Sequence, residues 1–193
     1  PVRPSKVLAV AMNYRSHVER SPLPDVREEP KTPELFLKPP SAVVGPGESI
    51  VLPEQAERVD YEAELGIVIR DRVSRIPPEA SRNHILGYTC ANDVTARDLQ
   101  KKDGQWTRAK SFDSFCPVGP WIETDLDPDD LEIEAFLNNE RKQSSRTSQF
   151  VFPAKELVSF ISQVMTLEPG DLIITGTPAG IGPMQPGDEI EVR

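Results

Sequence analysis

The stretch DYEAELGIVIR at residues 60–70 decides the fold class, because it is the clearest β-strand in the sequence. Apolar side chains recur at every second position, which is the period of a strand with one face in the core: Tyr61, Ala63, Leu65, Ile67 and Ile69. The other face carries Glu62, Glu64, Gly66 and Val68. The stretch therefore predicts a buried strand that presents two carboxylates side by side.

Short strands outnumber helices in the rest of the chain. We predict strands at 7–12, 35–38, 86–91, 115–122, 131–138, 172–175 and 189–192, and two more around the Gly-Pro-Gly turn at 45–47. Helices are predicted at 77–84, at 94–101 and at 152–165, the last with an apolar stripe of Leu157, Phe160, Ile161 and Val164. No strand–helix–strand rhythm repeats, so the pattern indicates a β-rich α+β fold.

Bulk composition bounds the class of protein. The 193 residues fit one domain, and we expect it to be trimmed at both ends from a longer chain, because it opens on Pro1 and stops inside a predicted strand. The net charge of −9, without a basic run, argues against nucleic acid and anionic membrane partners. No apolar run is long enough to span a bilayer, and PVRPSKVLAV at residues 1–10 lacks the basic-then-apolar arrangement of a signal peptide, so we expect neither feature in this sequence. Cys90 and Cys116 form no CxxC pair, which favours reduced thiols in a cytoplasmic protein.

Residues 19–34 are charged, rich in proline and poor in apolar anchors. They predict a mobile surface loop that can serve as a lid.

The two glutamates of the central strand are the first candidate site. Side chains two apart on a strand lie about 6–7 Å apart at the backbone, and like charges repel there unless a cation or a proton intervenes. A solvated outer face is the alternative. Asp93 follows the apolar strand GYTCA and is either an N-cap of the next turn or a third ligand. Three carboxylates without thiols or paired histidines suit Mg²⁺ or Mn²⁺, and Ca²⁺ is also compatible.

Three further features can carry chemistry. His17 follows NYRS at a strand end, whereas His84 is interpreted as structural. Lys110 is either an exposed cation or a partner for a substrate anion beside the metal. The loop at 175–183 brings Thr177 and several glycines together, as a carboxylate grip or a plain tight turn.

Taken together, these segments resemble the fumarylacetoacetate hydrolase family. The matching runs follow the family's order and cover most of the chain: NYRSH at 13–17, LFLKP at 35–39, DYEAELGIVI at 60–69, ANDVTARDLQ at 91–100, WTRAKSFDSFCPVGPW at 106–121 and TLEPGDLIITGTPAGIGP at 166–183. The resemblance implies a mixed β-roll, usually a homodimer, with one Mg²⁺ or Mn²⁺ at the mouth of the roll.

The resemblance also implies roles for particular residues. Glu62, Glu64 and Asp93 match the metal carboxylates, Lys110 the lysine beside the metal, and His17 the catalytic histidine. Substrate contacts or bracing positions in the pocket are implied for Thr177, Arg97, Gln100 and Tyr14.

One position departs from the family pattern. Members that hydrolyse acylpyruvates place a glutamate three residues after the histidine, where this chain has Arg20, with Glu19 one step earlier as a possible substitute. Lyase or isomerase chemistry is therefore favoured. We expect a metal-dependent enzyme that acts on small 2-oxo or 2-hydroxydienoic dicarboxylates in aromatic catabolism, foremost a 2-hydroxyhepta-2,4-diene-1,7-dioate isomerase or decarboxylase.

Several alternatives stay open at this stage. Within the family they are C–C bond hydrolysis of the fumarylacetoacetate or acylpyruvate type and decarboxylation of oxaloacetate. The alternative of another class is a non-catalytic module that binds a metal or a small acid and has no need for His17 and Lys110 beside the carboxylates.

Overall fold

The computed structural model describes residues 3–19 and 28–193. In this part of the chain the strands are β1 (Val7–Ala11), β2 (Glu34–Lys38), β3 (Val43–Val44), β4 (Val59–Tyr61), β5 (Ala63–Ile69), β6 (Ile85–Asn92), β7 (Thr95–Ala96), β8 (Cys116–Glu123), β9 (Glu132–Leu137), β10 (Glu140–Arg146), β11 (Leu172–Ile174), β12 (Gly182–Pro183) and β13 (Ile190–Val192). The α-helices are α1 (Arg15–Glu19), α2 (Arg97–Asp103), α3 (Thr107–Lys110) and α4 (Ala154–Val164). Short 3-10 helices lie at Pro40–Ala42, Pro78–His84, Pro128–Asp130 and Thr147–Gln149.

A mixed sheet of seven strands forms the centre of the fold, in the order β2-β1-β11-β5-β6-β8-β3. Strand β5 lies in the middle and is buried along its whole length. Its alternation is confirmed, since Leu65 and Ile67 pack in the cluster that contains Leu157 of α4, whereas Val68 packs in a second cluster on the opposite face. The predicted β-rich α+β class and the β-roll are confirmed.

The prediction of one continuous strand at 60–70 is wrong at one point, because Glu62 interrupts the strand between β4 and β5. Strand β4 before the break belongs to a small sheet of order β12-β4-β7, while β5 after it belongs to the large sheet. The Glu62 N–H donates to the Asn92 side chain at 2.9 Å, not to a ladder carbonyl. The segment paired with it changes sheets in the same way, because β6 ends at Asn92 in the large sheet and β7 begins at Thr95 in the small one. Two paired strands therefore leave one sheet for another at a shared seam.

Other local predictions were confirmed or corrected by packing. The long helix is confirmed as α4, with Leu157 and Ile161 fully buried, but Val164 is 59% exposed and does not belong to the apolar stripe. The helix predicted at 94–101 begins only at Arg97, after β7. Strand β10 was missed, because its sequence ERKQSSR lacks apolar alternation and it is held by pairing with β9. Only one of the two strands predicted around the turn at 45–47 forms, namely β3.

Half of the lid predicted at 19–34, residues 20–27 with Arg20 among them, lies outside the described residues. At the two ends of the predicted loop, Glu19 belongs to α1 and Glu34 to β2. Cys90 and Cys116 are unpaired, and Cys116 is buried, as predicted. None of the helices in the described ranges is long and apolar enough to span a membrane.

Candidate metal centre

The seam between the two sheets brings Glu62, Glu64 and Asp93 together. One ligand oxygen from each lies within 4.8 Å of the others, and the three residues are 5%, 2% and 1% exposed, respectively. This burial excludes the solvated-face alternative. Three convergent carboxylates are the donor set of a hard divalent cation, so the residues fit the metal that the sequence predicts.

Backbone pairing across the seam positions the triad. The Asp93 N–H donates to the Glu62 carbonyl at 2.9 Å, and Glu64 lies opposite Ala91 in the β5–β6 ladder. Asp93 is therefore delivered by a strand end, and it is not the N-cap of α2, whose capping position is Ala96.

Lys110 joins two members of the triad. Its Nζ donates to Glu62 Oε2 at 3.0 Å and to Asp93 Oδ2 at 2.5 Å. The residue is 2% exposed, so the alternative of an exposed surface cation is wrong. Its ammonium also lies 5.0 Å from the centroid of the Phe36 ring. The lysine is thus held at the centre as a buried charge partner.

Lys38 is a residue at this centre to which sequence reasoning gave no role. Its Nζ donates to Asp93 Oδ1 at 2.5 Å and to the Val94 carbonyl at 3.2 Å. Lys38 is 1% exposed although its neighbour Leu37 is 48% exposed, which inverts the usual order of burial. The available signal was the run LFLKP, in which a lysine continues an apolar strand up to a proline.

Arg97 binds the second carboxylate oxygen of Glu62, the one that Lys110 does not contact. Its Nη2 donates to Glu62 Oε1, its Nε to Asp60 Oδ2 at 3.0 Å, and its Nη1 to Gln100 Oε1 at 2.6 Å. Asp60 is fully buried and also accepts two bonds from Arg58, at 2.7 and 3.1 Å. The structure thus places Arg97 and Gln100 at the centre, with Asp60 as an orienting partner that the sequence reading missed.

The loop after β11 closes the centre on the side of Glu64. The Gly176 N–H donates to Glu64 Oε2 at 2.7 Å. Gly176 has φ +96°, and a Cβ there would lie 2.8 Å from Asn13 Cβ, so glycine is required. The Asn13 side chain in turn donates to the Thr175 carbonyl at 2.8 Å. The predicted carboxylate grip therefore binds a carboxylate of the protein itself.

Thr177 lies in the same loop, but its hydroxyl is engaged by the fold. It donates to the Ala63 carbonyl at 2.9 Å and accepts a bond from Gln143 Nε2 at 2.8 Å. Gln143 also accepts from the Ala63 N–H at 2.9 Å. Contact between Thr177 and a substrate carboxylate stays a prediction.

His17 lies on α1, half-buried, with its ring against the Pro178 carbonyl. Burial lowers the pKa of His17 from its ordinary 6.5, and the charges of Arg97 and Lys110 lower it further, against opposing effects from Glu62 and the Pro178 carbonyl. The imidazole is therefore neutral at neutral pH and can accept a proton. Glu19, two residues further on, is exposed at the end of the helix.

Tyr14 begins the segment that carries His17. Its ring packs edge-on against Phe150 with centroids 4.8 Å apart. Its hydroxyl is buried without a hydrogen-bond partner among the described residues, and burial, together with the charge of Glu64, raises its pKa. The phenol therefore keeps its proton beside the triad. His84 is elsewhere, with Nδ1 2.5 Å from Asp71 Oδ1, in keeping with the structural role predicted for it.

The pKa values of the two glutamates are shifted in opposite directions. Burial raises the pKa of Glu62, but Lys110, Arg97 and His17 outweigh it and lower the pKa to about 2. Burial raises the pKa of Glu64 well above its ordinary value, and Asp93 and Glu62 raise it further. A cation among the three carboxylates is the charge that would keep Glu64 ionised. The donor set and its electrostatics are thus those of a site that could hold a cation.

Comparison of the whole chain with known proteins identifies its relatives. The sequence profile of the fumarylacetoacetate (FAA) hydrolase C-terminal domain matches residues 6–193. An uncharacterised protein of Archaeoglobus fulgidus is 52% identical over 193 residues, covering 100% of this chain and 76% of that protein. A mitochondrial oxaloacetate tautomerase of Bos taurus is 42% identical over 201 residues, covering 98% of this chain and 63% of that protein. The crystal structure of a 2-hydroxyhepta-2,4-diene-1,7-dioate isomerase from Mycobacterium marinum superposes with a TM-score of 0.90 at 48% identity, covering 100% of this chain and 71% of that one.

Proposed function

This chain belongs to the fumarylacetoacetate hydrolase family, and we propose that it is a divalent-metal-dependent enzyme acting on small 2-oxo or 2-hydroxydienoic dicarboxylates. The observation that carries the proposal is the buried triad of Glu62, Glu64 and Asp93 with Lys110 bonded to two of its members. The reaction we favour is isomerisation or decarboxylation of the 2-hydroxyhepta-2,4-diene-1,7-dioate type, in aromatic catabolism. The relative from Mycobacterium marinum that bears this isomerase name supports that choice.

Glu62, Glu64 and Asp93 would hold the ion, for which we propose Mg²⁺ or Mn²⁺. When bound, such an ion supplies Lewis-acid stabilisation of negative charge on substrate oxygens. The triad carboxylates, when ionised, are balanced by Lys38, Lys110 and Arg97, while Asp60 is balanced by Arg58. A divalent ion would therefore leave the site with excess positive charge, which suits a dianionic substrate in a protein that is otherwise acidic.

Of the protein's own side chains, Lys110 would stabilise negative charge on the substrate and His17 would transfer the proton. The Lys110 ammonium donates hydrogen bonds beside the site, where it can stabilise charge that develops on a substrate oxygen. The neutral imidazole of His17 can take a proton from a substrate carbon and return it to another. This pairing argues against the non-catalytic alternative, which has no need for a buried lysine between the carboxylates.

Hydrolysis is the less favoured reaction for this chain. Hydrolysis needs an activated water. In hydrolytic members a glutamate acts with the histidine to activate it, and this chain has Arg20 at that position. Glu19, the possible substitute, is exposed at the end of α1. Isomerisation needs only a proton to be moved, which His17 alone can do.

A second candidate function is the interconversion of the keto and enol forms of oxaloacetate. It is favoured by the 42% identity with the tautomerase of Bos taurus. The same residues would serve, because tautomerisation is also a proton transfer next to a carbonyl. Oxaloacetate decarboxylation remains an alternative on the same substrate.

A substrate screen tests the proposal. Purified protein loaded with Mg²⁺ is mixed with hydroxydienedioates, oxaloacetate and acylpyruvates, and products are followed by ultraviolet absorbance and mass spectrometry. We expect metal-dependent isomerisation or decarboxylation of a dicarboxylate, and loss of the activity with a chelator. Turnover of acylpyruvates alone would reverse the preference for isomerase chemistry, and turnover that persists in chelator would overturn the metal dependence.

We further propose a cytoplasmic homodimer, as the family resemblance and the composition suggest. Light scattering on a size-exclusion column tests the assembly, and a monomer at micromolar concentration would contradict it.

A further inference from the structure

Gln143 is a buried side chain on a strand that is otherwise polar and mostly exposed. It is 1% exposed, whereas Glu140, Arg141 and Ser144 of the same strand β10 face solvent. The pairing of β10 with β9 shifts register between Arg141 and Gln143, and a bulge of this kind re-aims a side chain. Gln143 is thereby directed into the interior, toward the loop that follows β11.

Both ends of the Gln143 amide are engaged. Its Oε1 accepts from the Ala63 N–H at 2.9 Å, and its Nε2 donates to the Thr177 hydroxyl and to the Pro178 carbonyl, each at 2.8 Å. The Ala63 N–H can only donate, so the amide oxygen must face it and the NH₂ group must face the loop. The amide therefore ties the start of β5 to the Pro178 carbonyl in one defined orientation.

The loop also lies directly against β10. Gly180 has φ +107°, and a Cβ there would clash with the Lys142 carbonyl, so only glycine allows this close approach. The Tyr61 hydroxyl donates to the Gly180 carbonyl at 3.1 Å. These contacts fix the loop on both sides of the buried Pro178.

The start of α1 is bonded to the same loop at two points. The Asn13 side chain donates to the Thr175 carbonyl at 2.8 Å, and the Ala179 N–H donates to the Ser16 hydroxyl at 3.4 Å. Pro178 lies between those two loop residues in sequence, and the residue that follows Ser16 is the proposed base. The loop and the first turn of α1 thus pack as one unit.

The Pro178 carbonyl accepts a hydrogen bond from the ring of His17 where these segments meet. Because a carbonyl oxygen can only accept, the ring nitrogen that faces it must carry a hydrogen. In a neutral imidazole the other nitrogen then has the lone pair that a base requires. The charges of Glu62 and Lys110 act on the same ring, which places it beside the proposed metal centre.

We propose that Gln143 is a positioning residue that holds the Pro178 carbonyl against one ring nitrogen of His17 and thereby fixes the tautomer and the orientation of the base. This inference rests on the proposed role of His17 in proton transfer. It goes beyond that role, because it assigns the state of the base to a side chain that acts on it only through the loop.

Nitrogen-15 NMR of the imidazole tests the inference, because the chain has two histidines and a His84→Gln background leaves His17 alone. Spectra are recorded on metal-free protein at about pH 8, where an ordinary histidine is neutral. We expect the shifts of a single tautomer in the otherwise wild-type protein. In Gln143→Met, whose side chain has a similar length but no donor, we expect shifts averaged between two tautomers.

Two results would overturn the inference. One is a mixture of tautomers in the protein that retains Gln143, and this result counts whether or not Gln143→Met folds. The other is a single, unchanged tautomer in folded Gln143→Met.

Kinetics supply a second readout. A small misplacement of a catalytic group can cost about 100-fold in rate, so kcat of Gln143→Met should fall by about 10–100-fold. The Kd for Mg²⁺-dependent binding of oxalate should change little, because the bonds of Lys110 to the triad are untouched. Equal losses of kcat and of oxalate affinity would indicate a disrupted site and would overturn the positioning role.

Tyr61→Phe is the matched control. It removes one hydrogen bond to the same loop, at Gly180, and leaves the bond between Gln143 and Pro178 in place. This variant should keep the single His17 tautomer and the wild-type kcat. Equal changes of the tautomer in both variants would mean a general loosening of the loop and would overturn the assignment to Gln143.

The proposed function and this inference can fail separately. A single His17 tautomer in a protein that converts no dicarboxylate would overturn the proposed function while supporting the orientation of the ring. Turnover of a dicarboxylate with an unchanged kcat in folded Gln143→Met would overturn only the role of Gln143.

Discussion

Glu62 and Asp93 face each other at the point where two paired strands pass from one sheet to another, and the Asp93 N–H donates to the Glu62 carbonyl at 2.9 Å. This backbone bond fixes the spacing of two ligands that are far apart in sequence. The proposed binding of a metal by these carboxylates would therefore depend on the seam between the sheets and not on a single strand. Residues that act in the chemistry and residues that hold this seam should therefore respond differently to substitution.

Replacement of His17 by alanine should slow turnover far more than it weakens binding. Loss of a general acid–base group lowers kcat by about 10²–10⁴-fold, while Mg²⁺-dependent binding of oxalate, which requires no proton transfer, should change little. Steady-state kinetics and oxalate titrations measure the two effects. Equal losses of turnover and of affinity would instead make His17 a binding residue.

The same histidine should set the acidic limb of the pH profile. Activity requires the neutral imidazole, so kcat/KM rises as the pH increases through the pKa of His17 and is level above it. Because burial and nearby cations lower that pKa, the midpoint should lie below 6.5. His17→Ala should remove this limb; a limb that persists in the variant belongs to another group.

Lys110→Met should abolish Mg²⁺-dependent oxalate binding while Mg²⁺ itself still binds. The substitution removes the cation that can pair with an anionic ligand, but it leaves the oxygens of Glu62 and Asp93 free for the ion. Calorimetry with each ligand in turn measures both steps. Lys102→Met, on the exposed side of α2, is the matched control and should behave as wild type. Unaltered oxalate affinity in Lys110→Met would remove the lysine from substrate binding.

Thr177→Val should lower the free energy of unfolding by about 1–3 kcal/mol, because it leaves the buried Ala63 carbonyl and a Gln143 N–H without their partner. Thr177→Ser keeps the hydroxyl and should retain most of that stability. Urea unfolding followed by circular dichroism compares the two. Wild-type stability in Thr177→Val, combined with a raised KM, would show that the hydroxyl serves the substrate instead.

Asp171 should make stability depend on pH. Burial would raise its pKa, but bonds from Lys6, from Ser5 and from the Glu168 N–H outweigh burial and lower it below 3.8. A lowered folded pKa contributes stability above the unfolded value of 3.8, and that stability is lost as the pH falls through the folded pKa. Asp171→Asn should therefore lower the free energy of unfolding by about 1–3 kcal/mol at neutral pH. The gap to wild type should narrow in acid, and a gap that is independent of pH would contradict the ion pair.

Much of the centre could be predicted from local pattern. The alternation of residues 60–70 identified the central strand and put Glu62 and Glu64 on one face, because side-chain direction in a strand follows from spacing alone. Asp93 was singled out because it directly follows the apolar strand GYTCA, at a junction where a side chain can reach the site. Lys110 and His17 needed the family resemblance, because a lone lysine or histidine has no local pattern that separates a buried partner from a surface residue.

What escaped prediction depends on contacts between distant residues. Lys38 and Asp93 are 55 residues apart, and their pairing follows from the docking of an edge strand that no sequence window contains. The break at Glu62 depends on the Asn92 side chain, which takes the N–H that a continuous ladder would have used. Strand β10 forms because β9 offers it an edge, so its own polar sequence carries no strand signal.

The most direct test of the account is a calorimetric titration of the metal-free protein with Mn²⁺, on wild type, on Glu62→Gln and on Glu54→Gln, an exposed control. We expect one site per chain in wild type and in Glu54→Gln. In Glu62→Gln we expect loss of most of the affinity with an unchanged circular dichroism spectrum. A Mn²⁺ isotherm for folded Glu62→Gln that matches wild type would contradict the metal centre on which the rest depends.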